Sequence, residues 1–305
     1  MDKVQAELDC RLGEIMKPNT LPLKKHPLRL HQADHSRDSV GMTYVYPVIS
    51  RRAGGVSVGI NLNPNNACNW QCIYCQVPNL VRGGPPPIDL DRLERELTEL
   101  LDDLIHGDFM QSRVDSDMQR LVDIAFSGNG EPTSASEFPA AVEIATAVLE
   151  RFGLRGKTLL RLITNGSLLD RPRVQAGIAQ IGRTPGEVWF KLDAATVKEI
   201  ELINGTKTSL DRVMRRLTRC IELAPTWVQT CVFLRDGQLA VADGWREYLE
   251  LLANVTGGLK GVHLYSLARQ SMQNESSRLG QLDVTQMDAL AAQIRALGLA
   301  VTVNP

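Results

Sequence analysis

The sequence predicts an α/β fold: a partial or complete parallel (β/α) barrel preceded by an N-terminal extension. Three observations carry this. From about residue 56, short β-rich runs alternate with amphipathic helical stretches. Several of those runs are almost continuously apolar, as in parallel strands covered on both faces. Polar clusters follow successive runs, at the strand end where parallel α/β barrels carry their sites.

The predicted strands cover residues 56–62, 121–127, 158–164, 188–193, 228–234 and 261–267, with a last short run at 300–303. Between them, Leu90, Leu93, Leu97, Leu100, Leu101, Leu104 and Ile105 form one apolar helical stripe. Ser134 and Glu137 stand as a capping box before a second stripe from Phe138 to Phe152. Further stripes run through Leu210–Ile221, Trp245–Leu252 and Met287–Leu297. Repeated βα units with short connections favour parallel strands joined by right-handed crossovers. Residues 1–55 form the extension, helical over about 2–16, and residues 56–305 form the barrel domain. There is no internal repeat.

The chain has 305 residues, 43% hydrophobic and 23% charged, ample for a large core. No apolar run approaches the roughly 18 residues of a membrane span, and the charged N-terminus is unlike a signal peptide. A cytoplasmic protein without membrane association is expected. Six cysteines without a secretion signal argue against a disulfide framework. A net charge of −1 gives no whole-molecule attraction to nucleic acid. Locally, residues 17–37 carry Lys17, Lys24, Lys25, Arg29 and Arg37 against Asp34, with His26, His31 and His35 interleaved. That segment is either a solvated leader or a site for an anionic partner such as RNA.

Immediately after the first predicted strand lie Cys68, Cys72 and Cys75, spaced C-x3-C-x2-C behind Asn63-Pro64-Asn65-Asn66. A loop this short aims three thiolates at one centre, and iron–sulfur clusters prefer such soft ligands. Three cysteines on a four-iron cube leave one iron open for chemistry, as an open position distinguishes catalytic from structural zinc. Zinc is the competing reading, but it needs a fourth ligand and no second paired-ligand element is present. Cys10, Cys220 and Cys231 are scattered and read as buried structural thiols.

With Tyr74 just before the last cysteine, the triplet resembles the signature of the radical S-adenosylmethionine superfamily. The resemblance implies that Cys68, Cys72 and Cys75 hold a [4Fe–4S] cluster whose open iron chelates S-adenosylmethionine, with Tyr74 near the adenine. Trp70 reads as packing beneath the loop. The turn Gly128-Asn129-Gly130-Glu131-Pro132 is similar to the superfamily's glycine-rich motif, which assigns Gly128, Gly130 and Glu131 to the cofactor's amino group. Thr164, Asn165, Lys191 and Asp193 end the next two strands and are further candidates for binding the cofactor. Lys191 suits the methionyl carboxylate and Asp193 the ribose hydroxyls, or the two form a salt bridge at the barrel mouth. Arg235 and Arg269 are anion-binding candidates or rim charges.

The resemblance covers roughly residues 56–305 and looks closest to the radical enzymes related to wybutosine synthesis. It implies reductive cleavage of S-adenosylmethionine to a 5′-deoxyadenosyl radical, which takes a hydrogen atom from substrate. It also implies an electron donor such as flavodoxin or ferredoxin. No catalytic residue acting on substrate is identified. A glycyl-radical activase, a small-molecule radical enzyme and a non-catalytic zinc protein are the alternative readings.

Overall fold

A computed structural model describes residues 29–30, 40–50 and 54–304. The expected helix at residues 2–16 and most of the basic segment 17–37 lie outside the described residues. Of that segment Arg29 is seen, paired at 3.2 Å with Asp115 on the surface, where such a pair contributes little.

Eight strands form the central sheet: β1 (Val45–Ser50), β2 (Gly55–Ile60), β5 (Leu121–Phe126), β6 (Leu159–Thr164), β7 (Gly186–Lys191), β8 (Thr226–Cys231), β11 (Leu259–Tyr265) and β13 (Val301–Asn304). They lie in that spatial order, curled into an open half-barrel. Every pair from β2 to β13 is parallel, as expected. The partial barrel, rather than the closed one, is therefore the outcome. β1 was not expected. It lies inside the stretch read as an extension and pairs antiparallel with β2, from Val45 opposite Ile60 to Ser50 opposite Gly55. Pro47 within it weakens the sequence signal, yet an edge strand tolerates a missing N–H.

Short strands β3 (Ala67–Cys68) and β4 (Val81–Arg82) pair in parallel, and β9 (Leu234–Arg235), β10 (Gln238–Leu239) and β12 (Leu279–Gly280) make a three-stranded ribbon. The helices are α1 (Leu90–Ile105), α2 (Phe109–Arg113), α3 (Phe138–Arg151), α4 (Pro172–Arg183), α5 (Val197–Asn204), α6 (Leu210–Leu223), α7 (Trp245–Ala253) and α8 (Val284–Arg295). α1 starts where the Asp89 side chain accepts from Arg92 N, and it buries Leu93, Leu97, Leu100, Leu101 and Leu104. Each buried leucine contributes roughly 1.5–3 kcal/mol. Glu96 on the same helix accepts from Thr43 N at 3.0 Å and Tyr44 N at 2.7 Å, fixing the entry to β1.

The capping box expected at Ser134 and Glu137 does not form. Residues Pro132–Ser134 make a 3-10 turn first, Ser134 Oγ donates to the Glu131 carbonyl, and Glu137 caps no N–H of α3. The reciprocal box occurs instead between Asp283 and Gln286 on α8. α4 and α5 were not read from sequence. Gly177 dilutes the stripe of α4 because a Cβ there would come within 2.6 Å of the Phe138 ring.

Period-two alternation gives the sheet two faces. Val188 and Phe190 of β7 join the apolar core. Glu187 and Trp189 turn the other way. There Arg161 pairs with Asp123 and Glu187 and lies 4.2 Å over Trp189, whose ring adjoins His263 at 4.4 Å.

Candidate active site

The cysteine loop leaves β2 and is held by distant parts of the chain. Pairing of β3 with β4 anchors Cys68, with Gly83 N donating to its carbonyl at 3.0 Å. Gln71 N and Ile73 N donate to the carbonyls of Asn204 and Ile203, docking the loop on the end of α5. Gly205 follows that helix in the left-handed region at φ 63° and its carbonyl accepts from Arg82 at 2.5 Å. On the far side, Ser271 Oγ donates to the Ile73 carbonyl at 2.7 Å, and Gln273 Nε2 to those of Cys75 and Val77.

Burial raises the Cys68 thiol to about 11 and the Cys72 thiol to about 12, and each also feels Cys75. An isolated buried thiolate is unfavourable. Even so, N–H groups point at both sulfurs: Trp70 N at 3.5 Å from Cys68 Sγ, and Asn204 Nδ2 at 3.4 Å from Cys72 Sγ. Such donors suit anionic, metal-bound sulfur better than a neutral thiol, which is a weak acceptor.

The glycine-rich turn packs directly on this loop. A Cβ on Gly130 would overlap the Ala67 carbonyl and come within 2.7 Å of the Asn63 side chain. Gly128, at φ 139°, lies against Asn61, whose Oδ1 accepts from Asn63 N and Asn129 N. Glu131 is only 2% exposed. Its Oε1 accepts from Thr133 N, Thr133 Oγ1 and Thr164 Oγ1, and its Oε2 from Asn165 N at 2.7 Å. Burial pushes its pKa up while these donors oppose the shift. Asn165 Nδ2 in turn reaches Asn69 Oδ1 at 2.9 Å, returning to the cysteine loop.

Lys191 and Asp193 do form the salt bridge, at 3.3 Å, but within a larger network. Asp193 also accepts from Tyr74 OH at 2.5 Å, Asn204 Nδ2 at 2.8 Å and Cys231 N at 3.0 Å. Lys191 Nζ reaches Tyr265 OH at 2.9 Å and lies 4.7 Å over the Tyr74 ring. Burial works against the Lys191 charge, yet Asp193 holds its pKa well above the ordinary lysine value. Burial, followed by Asp193, also raises Tyr74 well above the usual phenol value.

The predicted residues at β2, β5, β6 and β7 thus meet at one carboxyl edge. Arg235 instead pairs with Glu275 at 3.1 Å in the small ribbon. The Arg269 carbonyl accepts from Gln76 at 3.2 Å. Trp70, 9% exposed, packs as expected. Cys220 and Cys231 are buried, and Cys10 lies outside the described residues. Asn204, Tyr265, Ser271 and Gln273 were missed: none belongs to a local motif, and the fold alone brings them to the loop.

Among the described residues no three His, Cys, Asp or Glu side chains converge on a single metal ion. A cluster cube spaces its thiolates more widely, since each binds a different iron. Its ligand set, soft sulfur met by N–H donors, fits the three cysteines.

An α/β half-barrel with three thiols on one loop at its carboxyl edge is a scaffold suited to holding a thiolate-bound cluster. The chain belongs to the Radical SAM superfamily, whose sequence profile matches residues 62–237, more than half its length. Membership implies S-adenosylmethionine-dependent radical chemistry, with an iron–sulfur cluster and S-adenosylmethionine as the implied cofactors. A UPF0026 protein of Helicobacter pylori is 30% identical over 164 residues, 52% of this chain and 44% of that protein. The chain spans about half the length, or less, of the curated relatives it matches. Two solved structures share the fold. Streptococcus suis SuiB bound to S-adenosylmethionine has 12% identity and a TM-score of 0.52, covering 83% of this chain and 47% of that one. TYW1 with a lysine-pyruvate adduct bound has 15% identity and a TM-score of 0.51, covering 80% and 74%. Among the described residues no helix is long and apolar enough to cross a membrane.

Proposed function

We propose that Cys68, Cys72 and Cys75 hold a [4Fe–4S] cluster, and that Tyr74, Gly128, Gly130, Thr164, Asn165 and Lys191 wall the adjoining S-adenosylmethionine site. Bound together, cluster and cofactor supply a 5′-deoxyadenosyl radical for hydrogen abstraction from substrate. The observation that carries this reading is the convergence of N–H donors on two cysteine sulfurs, inside loops hydrogen-bonded to one another. Glu131 and Asp193 spend their carboxylate oxygens on protein donors. They therefore act as positioning residues, joining the strand ends into one rigid wall. Tyr74 and Lys191 are held against each other, leaving the lysine charge fixed beside the cysteine loop. A flavodoxin or ferredoxin acts as the one-electron donor in this reading.

The test is anaerobic reconstitution with iron and sulfide, followed by reduction and addition of S-adenosylmethionine. The expected result is about four irons per chain and release of 5′-deoxyadenosine. Cys72→Ala should lose both, whereas Cys220→Ala should keep both. A colourless protein that yields no nucleoside would overturn the proposal.

A further inference from the structure

A cavity of about 230 Å³ lies between the ends of β6 and β7 and helices α5 and α6, reaching Asn165, Lys191 and Asp193 on one side. That is below the roughly 300 Å³ at which small-molecule pockets begin, so it seats one group of a ligand rather than a whole one. Its charged lining is Lys191, Lys207, Arg212 and Arg216 against Asp193 alone.

These cations differ in how far they are already neutralised. Lys191 is bound to Asp193, and Arg216 to Asp170 at 2.5 Å. Lys207 reaches Glu201 at 3.1 Å, but its side chain is 78% exposed, so solvent screens that pair. Arg212 has no carboxylate partner among the described residues. It also sits in the first turn of α6, where Ser209 caps its N–H and the positive end of the helix dipole disfavours a cation. An anion between the helix start and the guanidinium would relieve both.

A second, independent feature points the same way. Thr208 lines the cavity, and its Oγ1 is buried without a hydrogen-bond partner among the described residues. Buried hydroxyls are rarely left so. Rotation of the Thr208 side chain would bring this hydroxyl, sealed from the cavity in the rotamer shown, to an oxyanion there.

We infer that this cavity binds the phosphate group of the substrate, with Lys207, Arg212 and Thr208 as its donors. A phosphate monoester carries close to two negative charges and three strong acceptor oxygens, which matches a cationic wall better than a single carboxylate does. The inference rests on the functional reading above, since it places the phosphate one wall away from the cofactor site.

Calorimetric titration of the cluster-loaded full chain with inorganic pyrophosphate, and separately with acetate, tests it. Pyrophosphate should bind saturably and at least tenfold more tightly than acetate. Lys207→Gln with Arg212→Gln should weaken it at least tenfold, and Thr208→Val severalfold. Arg246→Gln, on the exposed face of α7, should bind like the parent. Equal affinity in the parent and the double variant, or no saturable binding in the parent, would overturn the inference. Assaying 5′-deoxyadenosine in the same preparations keeps the two proposals apart. Its absence counts against the function, whereas cleavage with unaltered anion binding in the variants counts against the subsite alone.

Discussion

At the scale of single residues, the site is held by side chains that accept more hydrogen bonds than they could share with a ligand. Glu131 takes a main-chain N–H on each carboxylate oxygen, from Thr133 and from Asn165. In Glu131→Gln, either orientation of the amide turns its NH2 toward one of those N–H groups. A buried donor left unpaired costs about 1–3 kcal/mol. A loss of that order should appear in urea unfolding of the unloaded protein, and an unchanged midpoint would refute the clamp. Asn204 offers a different test, because its Nδ2 serves both Cys72 Sγ and Asp193. Hydrogen bonds to cluster sulfur favour the reduced, more negative state. Asn204→Leu should therefore retain iron but shift the cluster to a more negative reduction potential, followed by an EPR redox titration.

Elements, rather than residues, decide how the loops come together. Gly130 lets the turn after β5 lie against β3, where any side chain would strike the Ala67 carbonyl. Gly130→Ala should separate the two loops and lower iron retention by at least half, while circular dichroism stays native. Full iron content in that variant would show that the close approach is dispensable. The same elements show what a sequence discloses. The long strands β2, β5, β6, β7, β8 and β11 were legible to within about three residues because buried parallel strands are largely apolar, whereas the two-residue strands β3, β4, β9 and β10 carry no such signal. The three cysteines and the glycine-rich turn were legible because their spacing is local. β1 was hidden by Pro47, α4 by its glycines, and α5 by its eight-residue length. Ser271 and Gln273 were beyond reach, since their role depends on a contact nearly 200 residues away in the chain.

For the whole molecule, the decisive fact is that the barrel stays open. β1 and β13 stand at opposite edges of one curled sheet. Every residue of β2 is buried, partly by β1 pairing along its full length. Removing residues 1–50 would expose that strand as a long apolar edge, a template for association. The truncated chain should aggregate, read as loss of the monomer peak in size-exclusion chromatography. A soluble monomer would show that β1 is only an appendage.

The straps on the cysteine loop carry a consequence for the order of events during synthesis. Carbonyls at Ile73, Cys75 and Val77 are gripped by Ser271 and Gln273, and the amides of Gln71 and Ile73 by the end of α5. After the thiols leave the ribosome, close to two hundred residues are still to be added before Ser271 and Gln273 can follow them. Iron and sulfide therefore meet a settled binding loop only once the chain has been made through Gln273, so cluster insertion waits for the far side of the half-barrel to fold.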